Sequence, residues 1–183
     1  MPPTAAPTKT GALRSEQIIL FRLGDQLFAL SSSSVQEVRS ADSLSGGAYE
    51  VSAPGIDKVR QFVRRGTKTL FLVSGAAHFG LSAPDGILAF VLRNTRTALL
   101  VDSIERMTAM TRLQALPLSF CHEERQWYRG LTALDQTVVP VVRPEGFLSD
   151  EELVMLDAAL PPLEGSIEQT EAESDADFGA ELN

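Results

Sequence analysis

Short apolar runs separated by turn residues fill the chain from position 17 to position 143. The runs 18–23 and 26–30 flank Gly24-Asp25, and a two-residue loop of this kind predicts a β-hairpin because glycine allows a positive φ. The runs 87–93 and 98–102 predict a second hairpin. The runs 130–134 and 137–143, joined by Asp135-Gln136, predict a third. Paired strands therefore dominate the expected structure.

Two further apolar segments, 69–73 and 104–110, predict additional strands. Pro140 interrupts the last run, and because proline cannot donate a ladder hydrogen bond we expect an edge strand or a bulge there. The segment 46–60 carries Gly46-Gly47 and Pro54-Gly55 and predicts a long loop or a crossover connection. Many short strands at close spacing favour small sandwiches or barrels over alternating βαβ units.

One helix is predicted near the end of the apolar region. Ser149 and Glu152 have the spacing of a capping box, in which the serine side chain accepts from a backbone N–H three residues later. Leu153, Leu156 and Leu160 follow at helical spacing. We therefore expect a helix over 150–160, ended by Pro161-Pro162.

The chain has 183 residues, enough for one domain whose core needs no disulfide. Most of the net charge of −8 comes from positions 164–183, which hold seven of the 24 acidic residues and no Lys or Arg. The rest of the chain has 17 acidic and 16 basic residues, so it is nearly neutral. Such a composition is typical of a solvated tail. We predict a disordered leader over 1–16, a domain over 17–160 and an acidic disordered tail over 161–183.

Positive charge is concentrated between Lys58 and Lys68, a segment with five basic residues. No acidic residue occurs from Lys58 to Pro84. In a strand, four of these cations would share a face with Phe62, an arrangement that nucleic-acid binding sites use. The net negative charge of the chain opposes a phosphate-binding function. A solvated strand edge that discourages aggregation, or a protein partner, is the favoured interpretation.

Catalytic side chains are scarce. The chain has one cysteine, Cys121, and two histidines, His78 and His122, without the paired spacings of a zinc site or the elbow of a serine hydrolase. A hydrolase that uses Cys121 or His122 remains the weakest alternative. No phosphate-binding glycine loop is present. We expect no enzymatic activity, no metal and no cofactor.

The longest apolar run, 87–92, is far too short to span a bilayer. The first ten residues lack the apolar stretch of a secretory signal, and a single cysteine fits a reducing compartment. The sequence therefore predicts a cytoplasmic protein without direct membrane insertion.

Several segments, in order, resemble the CheW-like domains of bacterial chemosensory arrays. The run 21–30 followed by Ser34-Val-Gln-Glu-Val-Arg39 is similar to their opening hairpin and its Val-x-Glu-Val segment. Arg65-Gly66 with the strand after it, the run 98–102, and Tyr128-Arg-Gly130 continue the pattern. The resemblance covers about 17–160.

This resemblance implies a mainly β fold of two small five-stranded β-barrel subdomains with a C-terminal helix. It also implies a non-catalytic adaptor that couples the cytoplasmic tip of a methyl-accepting chemoreceptor to the regulatory domain of a CheA-type histidine kinase. In the family a receptor helix docks in the apolar groove between the subdomains. The expected partner-binding residues here are Val35, Glu37, Phe62, Arg65, Gly66, Tyr128 and Arg129.

The segment 60–75 departs from the family pattern. Arg60 and Val63 stand where members usually carry Gly and Asn, and Phe71 and Ser74 stand where they carry Pro and Asp. A bulky cation in place of a glycine opposes close backbone approach by a partner. This leaves open an alternative, a diverged accessory scaffold that has lost receptor or kinase binding.

Overall fold

Eleven strands and four short helices make up residues 15–162, the part of the chain that a computed structural model describes. The strands are β1 Glu16–Leu23, β2 Gln26–Ser31, β3 Val35–Ser40, β4 Ala48–Glu50, β5 Val59–Arg65, β6 Lys68–Ser74, β7 Leu88–Leu92, β8 Thr97–Val101, β9 Ser103–Met110, β10 Tyr128–Leu134 and β11 Thr137–Val142. The helices are α1 Ala41–Ser45, α2 Gly75–His78, α3 Glu124–Trp127 and α4 Asp150–Ala158, and 3-10 turns span Ser32–Ser34 and Pro144–Gly146.

The strands form two sheets. The first sheet has the order β10-β11-β2-β1-β9, and the second has the order β3-β7-β8-β6-β5-β4. All three predicted hairpins are present as the antiparallel pairs β1-β2, β7-β8 and β10-β11. Asp135 and Gln136, the two turn residues of the last hairpin, both have positive φ, which matches the twist that a two-residue loop needs. The mainly β prediction is confirmed.

Three details of the prediction are wrong. The second sheet has six strands rather than the expected five. The segment expected to be a long loop contains β4, which pairs with β5. β11, which carries Pro140, lies inside its sheet, but it meets β2 through a single bridge between Val141 and Ala29. A strand with so little pairing on one side loses little by lacking one donor.

A loop residue brings the two edges of the first sheet together. Gln114, four positions after β9, exchanges two backbone hydrogen bonds with Leu131 of β10, of 2.7 and 2.9 Å. The adjacent Gly130 makes this approach possible, because a Cβ at that position would lie 2.3 Å from the carbonyl oxygen of Gln114.

Both faces of the central strands are buried, in different cores. Alternate residues of β1 divide between them: Ile19, Phe21 and Leu23 enter a core shared by the two sheets, whereas Ile18 and Leu20 pack in a smaller core of the first sheet. A third cluster, around Leu72 and Val91, belongs to the second sheet. The period-2 alternation of strand side chains produces this division, which explains why the apolar runs are nearly continuous.

The predicted C-terminal helix is present as α4, with the capping box formed: Ser149 accepts from the Glu152 N–H, and Glu152 accepts from the Ser149 N–H. Leu156 is fully buried in the shared core, and Leu153 and Leu160 pack against that core. Pro161 and Pro162 follow without helical structure.

The division of the chain into leader, domain and tail stays a prediction. β1 begins at Glu16, one position before the expected domain start. The rest of the predicted leader, and the predicted tail beyond Pro162, lie outside the described residues.

Candidate functional site

An ion pair joins two strands that are far apart in the order of the second sheet. Glu37 on edge strand β3 accepts a hydrogen bond from the Arg65 guanidinium at the end of β5, and a second from Arg39 Nε at 3.0 Å. The Arg65 hydrogen bond is the main reason that the pKa of the Glu37 carboxyl lies below its ordinary value, and the bond from Arg39 adds to it. The structure thus brings two of the predicted contact residues together.

Val35 and Gly66 lie on either side of this pair in the chain but differ in exposure. Val35 begins β3 and is buried in the shared core, so it supports the strand rather than offering a free surface. Gly66 is exposed in the turn between β5 and β6 with φ of +59°, a conformation that other residues rarely adopt. Gly66 therefore permits the tight turn that follows Arg65.

At one edge of each sheet, exposed apolar side chains project from the face that lines the shared core. Val38 on β3 lies opposite Phe90, and Met107 on β9 lies opposite Ile19. Residues directly opposite in an antiparallel pair project from the same face, and Phe90 and Ile19 belong to the shared core. Val38 is 43% exposed and Met107 is 60% exposed. Ile104 on β9 lies opposite Phe21 and is 37% exposed. We call Val38, Ile104 and Met107 the apolar rim.

The sequence interpretation did not select the apolar rim. Val38 stood within the recognised Val-x-Glu-Val segment, but nothing in the local pattern shows that β3 is an edge strand. The same holds for Ile104 and Met107 on β9, because edge position depends on pairing between distant segments. The available signal was the presence of apolar residues among the charged ones of both strands.

Phe62 does not belong to an exposed site. Its side chain is fully buried in the shared core, stacked on Tyr49 with ring centroids 5.4 Å apart, and the Arg64 guanidinium lies 5.7 Å from the ring centroid. The arrangement considered for nucleic-acid binding, in which this ring is exposed among basic side chains, is therefore not formed by this strand. Lys58 also lies apart from such a face, since its ammonium pairs with Glu152 at 2.8 Å.

Tyr128 and Arg129, at the start of β10, are half-buried and belong to the first sheet. Tyr128 stacks on Phe79 with ring centroids 5.6 Å apart, and burial raises the pKa of its hydroxyl to about 12, with a smaller effect of Glu124. Arg129 donates two hydrogen bonds, of 2.6 and 3.0 Å, to the carboxylate of Glu16. This bond is the main cause that lowers the pKa of Glu16 and raises that of Arg129. Both residues thus have contacts within the chain.

An aromatic cluster connects the segments around Tyr128 to α2. The Phe79 ring packs on Phe28 and Trp127, and His78 packs edge-on against Phe79 and beside Trp127 and Phe147. His78 Nδ1 lies 3.4 Å from the Lys58 ammonium, and His78 Nε2 has no partner among the described residues. Burial, helped by Lys58, lowers the pKa of His78 to about 3, so the ring is neutral at physiological pH.

A groove of about 1040 Å³ lies between α4 and the ends of the second sheet. Arg96 donates two hydrogen bonds, of 2.7 and 2.6 Å, to Asp157 of α4 and closes one part of it. Arg65, Lys68 and Arg93 line the part nearer to β3. The groove therefore begins at the Glu37–Arg65 pair.

The side chains considered for catalysis are not assembled into a reactive group. The exposed Cys121 accepts a weak hydrogen bond from the Glu124 N–H, and His122 contacts Gln126 instead. Within residues 15–162, no three His, Cys, Asp or Glu side chains cluster as metal ligands. In the same residues no helix is long and apolar enough to cross a membrane.

Comparison with known proteins gives the same fold. A model of the CheW-like domain matches residues 17–152. A probable chemotaxis protein CheW from Rhizobium etli is 26% identical over 144 residues, which cover 74% of this chain and 89% of the relative. The crystal structure of the scaffolding protein TtCheW from Thermoanaerobacter tengcongensis superposes with a TM-score of 0.61 at 12% identity, over 80% of this chain and 96% of that one.

The two sheets with one shared core, and edge strands that carry exposed apolar and paired charged residues, define a β-sheet interaction domain. The family match covers most of the chain, and the chain belongs to the CheW-like domain family. The resemblance of the short segments is thereby confirmed, and with it the assignment to the scaffold and adaptor class of chemotaxis proteins.

Proposed function

We propose that this protein is a cytoplasmic adaptor that couples the tip of a methyl-accepting chemoreceptor to the regulatory domain of a CheA-type histidine kinase. The observation that carries this proposal is the apolar rim, which is exposed on an edge strand of each sheet. Two edge strands, one from each sheet, leave apolar side chains uncovered on the faces that line the shared core. A partner that covers the rim would extend that core.

The rim has the properties of a protein-binding surface. Apolar side chains gain roughly 25 cal/mol for each Å² removed from water, so Val38, Ile104 and Met107 favour an apolar partner surface such as one side of a helix. Arg65 adds direction, because a guanidinium gives strong and oriented hydrogen bonds at interfaces. Glu37 holds Arg65 at the end of β5 until a partner carboxylate competes for it.

Titration of the purified protein with each partner tests the proposal. The partners are the regulatory domain of the cognate CheA-type kinase and a helical fragment of a receptor tip, and the measurement is calorimetry. We expect saturable micromolar binding to both. Arg65→Glu should weaken binding of at least one of them roughly tenfold or more, the loss typical of a charged interface residue. Met107→Ala and Val38→Ala should weaken receptor binding about three- to tenfold.

Two matched controls separate this site from general surface effects. Leu118→Ala removes a side chain that is 96% exposed in the loop between β9 and β10, and Arg112→Glu reverses an exposed charge in the same loop. Neither should change binding. Absence of saturable binding to both partners at high concentration would contradict the proposal and support the accessory scaffold instead.

A further inference from the structure

The described chain ends beside a group of cations. Arg64 donates a 2.6 Å hydrogen bond to the carbonyl oxygen of Pro161, one residue before the last described position. Lys68 is the register partner of Arg65, the residue after Arg64, and Arg93 lines the same groove as Lys68. Leu160 lines that groove as well, so the chain leaves the structure at the groove itself.

These three cations lack carboxylate partners in the described part of the chain. Each of the seven ion pairs found in residues 15–162 involves another base, such as Arg65 with Glu37 and Arg96 with Asp157. Arg64 and Arg93 bond only to the backbone carbonyls of Pro161 and Val35. Lys68 and Arg93 are exposed. We call Arg64, Lys68 and Arg93 the open cations.

The segment that follows is complementary in charge. Residues 163–183 contain seven acidic residues and no Lys or Arg, and the first acidic residue, Glu164, stands two positions after Pro162. An extended chain advances about 3.3 Å per residue, so 21 residues reach far beyond the groove that starts where they begin. Because both partners belong to one chain, the effective concentration of the acidic segment at the groove is in the millimolar range, enough for weak ion pairs to be populated.

We propose that the acidic segment 163–183 binds back onto the open cations and occupies the groove next to Arg65. The segment and the Glu37–Arg65 pair then lie at the same end of the second sheet. As a consequence that rests on the proposed function, the segment competes with any partner carboxylate that approaches Arg65. The occupancy itself depends on nothing but this chain, so it is testable without a kinase or a receptor.

Paramagnetic relaxation in the full chain measures the occupancy directly. A spin label at Ser174→Cys, in a Cys121→Ser background that removes the exposed native thiol, should broaden the backbone amide signals of Lys68 and Arg93. The amide of Arg112, on the loop after β9, is the reference position. We expect the broadening to disappear when salt is raised from about 50 mM to about 500 mM, because screening removes exposed ion pairs.

Three full-length variants distinguish binding from mere proximity of a tethered segment. Lys68→Glu with Arg93→Glu should abolish the salt-dependent broadening, since each exposed ion pair contributes about a two- to fivefold preference. Replacing all seven acidic residues by their amides should do the same. Arg112→Glu should leave it unchanged. The proposal would be overturned if the broadening at Lys68 and Arg93 were unchanged by salt and by both sets of charge substitutions. Equal broadening at Arg112 would overturn it as well.

A binding measurement then tests the competition separately. The amide-substituted chain should bind the kinase regulatory domain or the receptor fragment about two- to tenfold more tightly than the native chain at low salt, and equally at high salt. If the acidic segment occupies the groove but the amide substitutions leave partner affinity unchanged, the segment does not compete with partners, and only the intramolecular contact is supported. If neither partner binds, the proposed function fails and the relaxation result keeps its meaning.

Discussion

Glu37 and Arg65, 28 positions apart in the sequence, form an ion pair that links edge strand β3 to the end of β5. Three strands, β7, β8 and β6, lie between β3 and β5 in the order of the second sheet, so the pair connects two strands that backbone pairing does not join. Glu37, the acidic residue of the Val-x-Glu-Val segment, therefore holds in place the arginine that we expect partners to contact.

Titration of the Glu37 carboxyl should show this arrangement. The Arg65 hydrogen bond is the largest influence on its pKa, so a ¹³C NMR titration should place the Glu37 midpoint below its ordinary value of 4.5. Because the folded-state pKa is lowered, the pair stabilises the fold above that ordinary value, and the contribution is lost as the pH falls through the folded-state pKa. Arg65→Gln should raise the midpoint more than Arg39→Gln does. An unchanged midpoint in Arg65→Gln would contradict the pair.

The burial of His78 predicts a loss of stability in mild acid. Its pKa falls from 6.5 in the unfolded chain to about 3 in the fold, so between these values the unfolded chain binds more protons, and the free energy of unfolding rises with pH. Between pH 8 and pH 5 the expected loss is about 2 kcal/mol. Urea unfolding followed by fluorescence of Trp127, the only tryptophan, measures it.

Two substitutions attribute that slope to one histidine. His78→Asn retains a polar group that can accept from Lys58 and removes the titration, so the pH dependence between pH 5 and pH 8 should flatten. His122→Asn changes the only other histidine, which is exposed, and should leave the slope intact. Equal slopes in the native protein and in His78→Asn would show that other groups cause the loss.

Gly130→Ala should destabilise the first sheet. The new Cβ would lie 2.3 Å from the Gln114 carbonyl oxygen and about 3.0 Å from Leu113, so the bridge between Gln114 and Leu131 must move. We expect a cost of about 2 kcal/mol, typical of overpacking against backbone. Gly47→Ala is the matched control, because no atom lies within 4 Å of the place that a Cβ would occupy there and the φ of Gly47 is not positive. That variant should stay within about 0.5 kcal/mol of the native protein in urea unfolding.

The docking of α4 should depend on Leu156 far more than on its exposed apolar neighbours. Leu156 is fully buried, and truncation to alanine should cost about 3 kcal/mol. Val154 is 69% exposed on the same helix, so Val154→Ala should change the free energy of unfolding by less than about 0.5 kcal/mol. Similar losses in the two variants would mean that the helix packs differently from the arrangement described.

The three hairpins and α4 were predictable because their signals are local. Gly24 and Asp135-Gln136 lie between short apolar runs, and Ser149 with Glu152 forms a capping box three residues apart, so each element depends on contacts between near neighbours. The candidate site was predictable only where family motifs cover it, as at Glu37 and Arg65. Phe62, selected as a contact, proved to be a core residue, since one strand cannot show which of its faces is covered.

The sequence by itself determined the strand content, the C-terminal helix, the acidic end of the chain and the family, because periodicity, turn chemistry and charge are properties of short segments. Only the tertiary structure decided that β3 and β9 are edge strands, that Val38 and Met107 remain uncovered, and that Arg65 meets Glu37. These facts depend on which distant strands pair, and pairing is chosen by burial of the whole set of apolar faces at once.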